Sequence, residues 1–234
     1  MNNHSRTLVL GDIHGNVKAL NQCLERCKFD SNKDTLIQLG DVADRFPDTA
    51  KVVERLLEFK NLIAIRGNHD DWTNKWFSTG IADSSWLANG GQETIDSYDN
   101  EKVDLDKHKK FFSDVQVNYY TDANDRIFVH GGFTQPKGPE YDLIKTQCLW
   151  DRSLWNEAII GQKLSRQPHI LSGFKEIYIG HTPTLNWHQE EPMNIFNVWN
   201  LDTGAGHSNG RLTIMDIDSK EFWQSDFVDT LYQS

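Results

Sequence analysis

A chain of 234 residues suits one large α/β domain, so residues 1–234 are read as a single unit. With 38% hydrophobic and 25% charged residues, composition excludes a disordered chain. A formal net charge of -10 argues against non-specific nucleic-acid binding, which needs a surplus of Lys and Arg, but leaves room for a local basic pocket around one phosphate.

In chain order, the first apolar run is Thr7-Leu8-Val9-Leu10, a strand leading straight into Gly11-Asp12. Val17, Leu20 and Leu24 then recur at helical spacing through Cys27. A second strand, Thr35 to Leu39, runs into Gly40-Asp41, and a helix from Thr49 to Phe59 carries Val52, Val53, Leu56 and Leu57. A third strand, Leu62 to Ile65, runs into Arg66-Gly67-Asn68. Strand, glycine loop and helix in repetition indicate βαβ units and a parallel sheet, whose ligand crevice lies at the carboxyl ends of the strands.

Residues 70–114 read as helical and rather polar, with Trp72, Trp76 and Trp86 expected to serve core or cap packing, an aromatic substrate rim being the alternative. Beyond them, Ile127-Phe128-Val129 ends at His130 and Ile177-Tyr178-Ile179 ends at Gly180-His181. Ile195 to Leu201, Leu212 to Ile217 and Phe222 to Phe227 read as further strands, so the fold class is α/β, with two packed sheets and helices outside. Cys23, Cys27 and Cys148 are expected to be reduced buried thiols. No secretory leader and no apolar run of bilayer length is evident, which makes the cytoplasm the expected location and a membrane partner unexpected.

The polar residues at the strand ends carry the chemistry. Gly11-Asp12-Ile13-His14-Gly15-Asn16, Gly40-Asp41-Val42-Ala43-Asp44-Arg45, Gly67-Asn68-His69-Asp70, His130-Gly131-Gly132 and Gly180-His181-Thr182 make sense together as a two-metal site. Carboxylate and amide oxygens suit hard divalent cations, and neutral imidazoles suit first-row transition metals. Asp12 and His14 alternate in an extended segment, so both side chains can face one cation. Asp41 has two oxygens with which to bridge a metal pair, and Asn68 offers a neutral amide oxygen. Paired metals usually mean attack on a phosphate ester by activated water. The planar guanidinium groups of Arg45 and Arg66 suit two-pronged phosphate recognition.

The ordered series Gly-Asp-Ile-His-Gly-Asn, Gly-Asp-Val-Ala-Asp-Arg, Arg-Gly-Asn-His-Asp, His-Gly-Gly and Gly-His-Thr resembles the calcineurin-like metallophosphoesterases, most closely the phosphoprotein phosphatase branch with its bacteriophage lambda-type and bacterial serine/threonine phosphatases. The resemblance spans residues 11–204 and implies two mixed β-sheets packed as a sandwich flanked by helices, a four-layer arrangement. It implies that Asp12, His14 and Asp41 hold one divalent metal ion, and that Asp41 bridges to a second completed by Asn68, His130 and His181. It further implies a water between the metals for in-line attack on phosphorus, with His69 as general acid oriented by Asp44. Arg152, in Trp150-Asp151-Arg152, resembles a third phosphate-contacting arginine beside Arg45 and Arg66. Manganese is the metal the resemblance favours, with iron or zinc as alternatives.

Two departures stand out: Phe46 follows Arg45 where the branch usually has glycine, and Asp70 follows His69 where many members have glutamate. Asp202-Thr203-Gly204-Ala205 resembles the family's late strand end and is given no catalytic role. His4, His108, His169, His188 and His207 carry no motif and are expected at the surface, with His207 the one worth checking. The leading expectation is a phosphomonoesterase acting on phosphorylated protein, peptide or a small phosphoester. The alternatives are a diadenosine tetraphosphatase-like hydrolase of dinucleoside polyphosphates, which shares the motif order, and a degenerate member that binds phosphate or a partner without catalysis.

Overall fold

The computed structural model describes residues 5–232, so His4 lies outside the described residues. The first half is the βαβαβ series expected: β1 (Thr7–Leu10), α1 (Val17–Arg26), β2 (Thr35–Gln38), α2 (Thr49–Leu57) and β3 (Leu62–Ala64), with all three strands parallel. The polar middle is helical: α3 (Asn68–Thr79), a short α4 (Ser84–Trp86) running through a kinked turn at Leu87–Gly91 into α5 (Gln92–Asn100), then α6 (Leu105–Lys110). The second half supplies β4 (Tyr119–Thr121), β5 (Arg126–Val129), α7 (Ser153–Lys163), β6 (Glu176–Ile179), β7 (Met193–Ile195), β8 (Val198–Asn200), β9 (Thr213–Asp216) and β10 (Phe222–Gln224).

These strands form two mixed five-stranded sheets, ordered β10-β9-β1-β2-β3 and β4-β5-β6-β8-β7. Within each, three parallel strands form the middle or one side; antiparallel strands close both edges of the second sheet and one edge of the first, where β3 is a parallel edge. The alternation of side chains along each strand builds the layers. Val9, Ile37, Phe128, Tyr178 and Met215 point inward and pack the two sheets together. Their neighbours Leu8, Leu10, Leu36 and Ile214 face α1 and α2, while Ile127, Val129, Ile177 and Ile179 face α7. Both faces of each sheet are therefore covered, and near-continuous apolar runs are the consequence.

Two readings of the strands are corrected. Ile195 to Leu201 is not one strand but a hairpin: Phe196 takes a left-handed φ of 53°, and Ile195 pairs with Val198 across the turn. An asparagine at Asn197 fixes it, donating to the carbonyls of Leu171 and Phe174. Tyr119–Thr121, half-buried to exposed and without alternation, was not anticipated and is an edge strand beside β5. The three cysteines are free and buried, as expected. Among the described residues no helix is long and apolar enough to cross a membrane.

Because β1, β2 and β3 are parallel in one sheet and β5, β6 and β8 in the other, each set presents its carboxyl ends together. The loops that follow carry Asp12 and His14, Asp41 and Asp44, Asn68 and His69, His130, His181 and Asp202. Topology thus delivers residues nearly 190 positions apart to one crevice.

Candidate metal centre and active site

The crevice is a cavity of about 360 Å³ lined by residues of four of the five motifs: His14, Asp41, Arg45, Asn68, His69 and His181 face it, with Asp202 on one wall, while His130 lies behind them, fully buried. Asp41 is central. Its Oδ1 accepts from the backbone N–H of His69 at 3.0 Å. Its Oδ2 lies 3.3 Å from His130 Nε2, 3.7 Å from His14 Nε2 and 4.0 Å from His69 Nε2. Donor atoms of His14, Asp41 and His69 lie within 4.8 Å of one another, as do those of Asp41, His130 and His181. One carboxylate therefore belongs to two adjacent donor groups.

The imidazoles are held for this purpose. His14 Nδ1 pairs with the carbonyl of Ala43 at 3.1 Å, and His130 Nδ1 with that of Leu39 at 2.8 Å. A backbone carbonyl at Nδ1 fixes the tautomer that leaves Nε2 with a lone pair for a cation. His130 Nε2 also sits 3.1 Å from Asn68 Oδ1, which brings the amide oxygen into the group. Asp12 lies beneath, 2% exposed, with Oδ2 accepting from the His181 N–H at 3.0 Å and Oδ1 without a hydrogen-bond partner. His181 Nε2 is likewise buried and unpartnered. Buried polar atoms are rarely left so, and an oxygen and an imidazole nitrogen orphaned at one floor fit a cation.

Charge balance agrees. Burial raises the Asp12 carboxyl well above its usual range, and the Asp202 carboxylate adds to the rise. Asp202 itself is pushed up to about 6, chiefly by burial. Burial holds the His14 and His181 imidazoles well below their ordinary values, so both are neutral. Asp41 and His130 differ: against the opposing effect of burial, the His130 and His69 imidazoles hold the Asp41 carboxyl well below the usual range, and the Asp41 and Asp12 carboxylates raise His130 to about 10. Divalent cations here would take over the positive charge that His130 otherwise carries. The residues present fit a metal pair.

The backbone accepts strain to build the floor. His14, Asp41, Asp44, Arg45 and His181 all take left-handed φ values, between 51° and 76°. Non-glycine residues adopt this region sparingly, Asp and His more readily than most, and such outliers cluster at functional sites. Gly67 and Gly180 are needed for a different reason: a Cβ on either would collide with the carboxylate of Asp41 or Asp12.

His69 opens helix α3, whose N-cap is Gly67. Its Nδ1 lies 2.6 Å from Asp44 Oδ2, and both are buried. Burial alone would lower its pKa, but the charges of Asp41 and Asp44 outweigh that and raise it. Asp44 is held by two residues with no motif to announce them: Trp86 Nε1 donates to Oδ2 and Thr94 Oγ1 to Oδ1, each at 2.7 Å. The segment between them also binds Arg45, whose N–H donates to the Gly90 carbonyl.

Arg45 and Arg152 line the cavity, the latter steadied by the His181 carbonyl and Thr182 Oγ1. Arg66 is a correction. Its Nη2 donates to the carbonyls of Phe112 and Ser113 at 2.7 and 3.0 Å, closing the end of the helical run after α6, and it does not line the cavity. Motif adjacency to Asn68 had suggested otherwise, but β3 ends with Arg66 bonded to Val117, on the flank of the sheet.

Further corrections concern residues outside the motifs. Trp72 lines the cavity, beside Trp150, rather than serving core or cap packing; Trp86 is core as expected, and Trp76 packs between Phe77 and Trp86. His108 is fully buried, bridging Tyr98 and Glu54, because α6 lies inward against α2. His169 and His188 are exposed, and exposed His207 forms part of the cavity rim. Phe46 does not line the cavity; it packs against Tyr232, ring centroids 5.3 Å apart. Asp70, the shorter acid, ties two loops: Oδ1 accepts from Val42 and Ala43 N–H, Oδ2 from Gly67 N–H and Gln116 Nε2.

The family model for calcineurin-like phosphoesterases matches residues 5–217. The chain belongs to that family. It is a metal-dependent phosphoester hydrolase, and its substrates are phosphoesters. It is 30% identical to serine/threonine-protein phosphatase 2 of Escherichia coli over 89% of this chain and 91% of that protein. It is 28% identical to serine/threonine-protein phosphatase 1 of Salmonella typhimurium, over 89% and 90%. It is 26% identical to the asymmetrical bis(5'-nucleosyl)-tetraphosphatase PrpE of Oceanobacillus iheyensis, over 92% and 89%. In fold it is similar to the structure of a putative diadenosine tetraphosphatase, with a TM-score of 0.66, 18% identity and coverage of 95% and 94%.

Proposed function

We propose that this hydrolase is a phosphomonoesterase whose substrates are phosphorylated proteins, phosphoserine and phosphothreonine included. The observation that carries the reading is Asp41 shared between two donor groups, beside a histidine bonded through Nδ1 to a buried carboxylate. The similarity to two proteins named serine/threonine-protein phosphatases supports the substrate.

In this reading Asp12, His14 and Asp41 hold one cation, and Asp41, Asn68, His130 and His181 the other. Manganese is the proposed occupant of both, since mixed oxygen and nitrogen donors suit it, as they suit iron and zinc. When bound, the pair supplies an activated water and withdraws charge from phosphoryl oxygens. Arg45 and Arg152 bind the phosphate and hold it in line. His69 is close enough to Asp41 to count among the donors, but pairing with Asp44 favours its imidazolium, which has no lone pair to give. Its Nε2 proton instead goes to the departing oxygen, and Asp44 keeps the ring turned so that Nε2 faces the cavity. Residues 1–234 are read as one domain, since both sheets contribute to the one crevice. The three free cysteines support a cytoplasmic setting.

The test is hydrolysis of an aryl phosphate and a phosphoserine peptide with added manganese, by wild type, Asp41→Asn and His69→Asn. His69→Asn should lose ~10²–10⁴-fold on the phosphoserine peptide, the usual worth of a positioned proton donor. Equal turnover by all three would sink the reading. A second reading, hydrolysis of dinucleoside polyphosphates, is favoured by the similarity to the PrpE tetraphosphatase. ADP or ATP released from diadenosine tetraphosphate, with phosphopeptides untouched, would replace the first reading with the second.

A further inference from the structure

The loop that follows His130-Gly131-Gly132 returns to the crevice at Trp150 and leaves several apolar side chains outside the core. Leu143 is fully exposed, Ile144 is 63% exposed, and Tyr141 and Trp150 are exposed on either side of them. From Ile144 onward the chain winds tightly: the N–H of Gln147 donates to the Ile144 carbonyl at 3.0 Å, that of Leu149 to Thr146 at 3.1 Å and that of Trp150 to Gln147 at 2.9 Å. Bonds that span three residues stack the side chains at i and i+3, so Ile144, Gln147 and Trp150 share one face. Cys148 and Leu149, on the other face, are fully buried. Trp150 meets Trp72 edge to face, centroids 4.9 Å apart, and lines the crevice. At the far end Tyr141 lines a second cavity of about 790 Å³ with Phe174 and Pro136, and Lys145 Nζ donates to the Glu140 carbonyl to close the loop between.

Neighbouring apolar side chains this exposed mark a surface that a partner covers. Two observations say which partner. A polypeptide whose phosphoryl group sits in the crevice leaves through the mouth, and the strip begins there, at Trp150. The strip is also opposite in charge to the molecule as a whole. On a chain of net charge -10, the exposed charged residues from 134 to 152 are Lys137, Lys145 and Arg152 against Glu140 alone, since Asp142 and Asp151 are buried. A segment that carries phosphate is drawn to such a surface. We propose that Leu143 and Ile144 dock an apolar side chain of the phosphoprotein substrate, at a set distance from the phosphorylated residue. Tight turns rise ~2.0 Å per residue, which puts Ile144 about 12 Å from Trp150, and an extended peptide advances ~3.3 Å per residue. The docked side chain therefore stands about four residues from the phosphorylated one. This rests on the phosphoprotein reading of the same site and adds a sequence preference to it.

The experiment gives manganese-loaded wild type and the double variant Leu143→Ser, Ile144→Ser a phosphoserine peptide of alanine and glycine, with a single leucine moved through every position within about five of the phosphoserine. Both replaced side chains are exposed, so the core keeps its packing. Wild type should show a kcat/KM about tenfold above that of the leucine-free peptide when leucine lies about three to five residues to one side, the scale of one partly covered leucine. The double variant should lose that gain and keep wild-type turnover of the leucine-free peptide and of p-nitrophenyl phosphate. A flat scan in wild type, with the leucine-free peptide still hydrolysed, overturns the docking alone. So does a gain that survives in the double variant. An equal loss on p-nitrophenyl phosphate would overturn it too, because the loop would then only prop Trp150 and Arg152. Sedimentation checks the competing occupant: a wild-type dimer that the double variant turns into a monomer would assign the strip to a second copy of this chain. Hydrolysis of diadenosine tetraphosphate with every phosphopeptide untouched fails the underlying reading, and the docking falls with it.

Discussion

The floor of the crevice and its mouth are built on opposite principles. On the floor, Asp12, Asp41, His130 and His181 are nearly or fully buried, and three of the imidazole and carboxylate groups are fixed by a second bond to the backbone. At the mouth, Asn89, Trp150, Arg152, Asn186 and His207 are exposed and lightly tethered. The floor tolerates left-handed backbone at Asp41 and His181, at a cost of order 1–3 kcal/mol each, because a misplaced donor loses the reaction. The mouth carries no such strain. In the proposed reading the rigid floor sets which bond breaks and the loosely held rim meets what is attached to it.

Breaking the floor should therefore give the largest effect. Asp41→Asn keeps an oxygen for the His69 N–H but removes the charge shared by two donor groups. We expect kcat to fall by about 10³-fold or more on every phosphoester, since metal polarisation is worth several kcal/mol, with binding of the second manganese lost in calorimetry. Retained stoichiometric binding of two ions would remove Asp41 from the bridge. Next comes Asp70→Ala, which orphans the N–H groups of Val42 and Gly67 and the Gln116 amide at once. A stability loss of about 3 kcal/mol or more is expected in urea unfolding, given ~1–3 kcal/mol for each buried group left unpaired.

A smaller effect separates orientation of the floor from its composition. Trp86→Phe removes one hydrogen bond from Asp44 and leaves His69 and Thr94 on it. A bond to a charged group is worth ~1.5–3 kcal/mol, so turnover of a phosphoserine peptide should drop about tenfold or more. p-Nitrophenyl phosphate, whose leaving group needs little protonation, should be affected less. A uniform drop on both would assign Trp86 to packing alone.

The same contrast explains what could be read from the chain. The βαβαβ half and the candidate donors that meet in the crevice were legible because each motif is local: an apolar strand, a glycine, then an acid, amide or imidazole at the strand end. Parallel pairing then forces those ends together. The partners of Asp44 were not legible, since Trp86 and Thr94 lie 42 and 50 residues away in a kinked helical stretch with no spacing rule. Trp72 illustrates the limit well. Its three-residue offset from His69 is plain in the sequence, but that the helix turns this face toward Trp150 is a fact of packing. His108 failed for the same reason: a histidine among lysines reads as surface until α6 is seen lying against α2.

Arg66 gives the finest division between site and scaffold. It stands next to Gly67 and Asn68, yet its guanidinium serves the carbonyls of Phe112 and Ser113 rather than the cavity. Those carbonyls end a helical run, where the last turn has no amides to pair with and a cation is favoured by the helix dipole. Arg66→Ala should thus cost about 1 kcal/mol in unfolding and move KM for a phosphopeptide by less than about twofold. Arg45→Ala should do the reverse, raising KM roughly tenfold with little change in unfolding, because its guanidinium faces the cavity and makes only a long contact to the Gly206 carbonyl. A KM effect in Arg66→Ala as large as in Arg45→Ala would require the Arg66 side chain to leave its carbonyls and enter the crevice when substrate binds, and the boundary drawn here between floor and flank would then move by one residue.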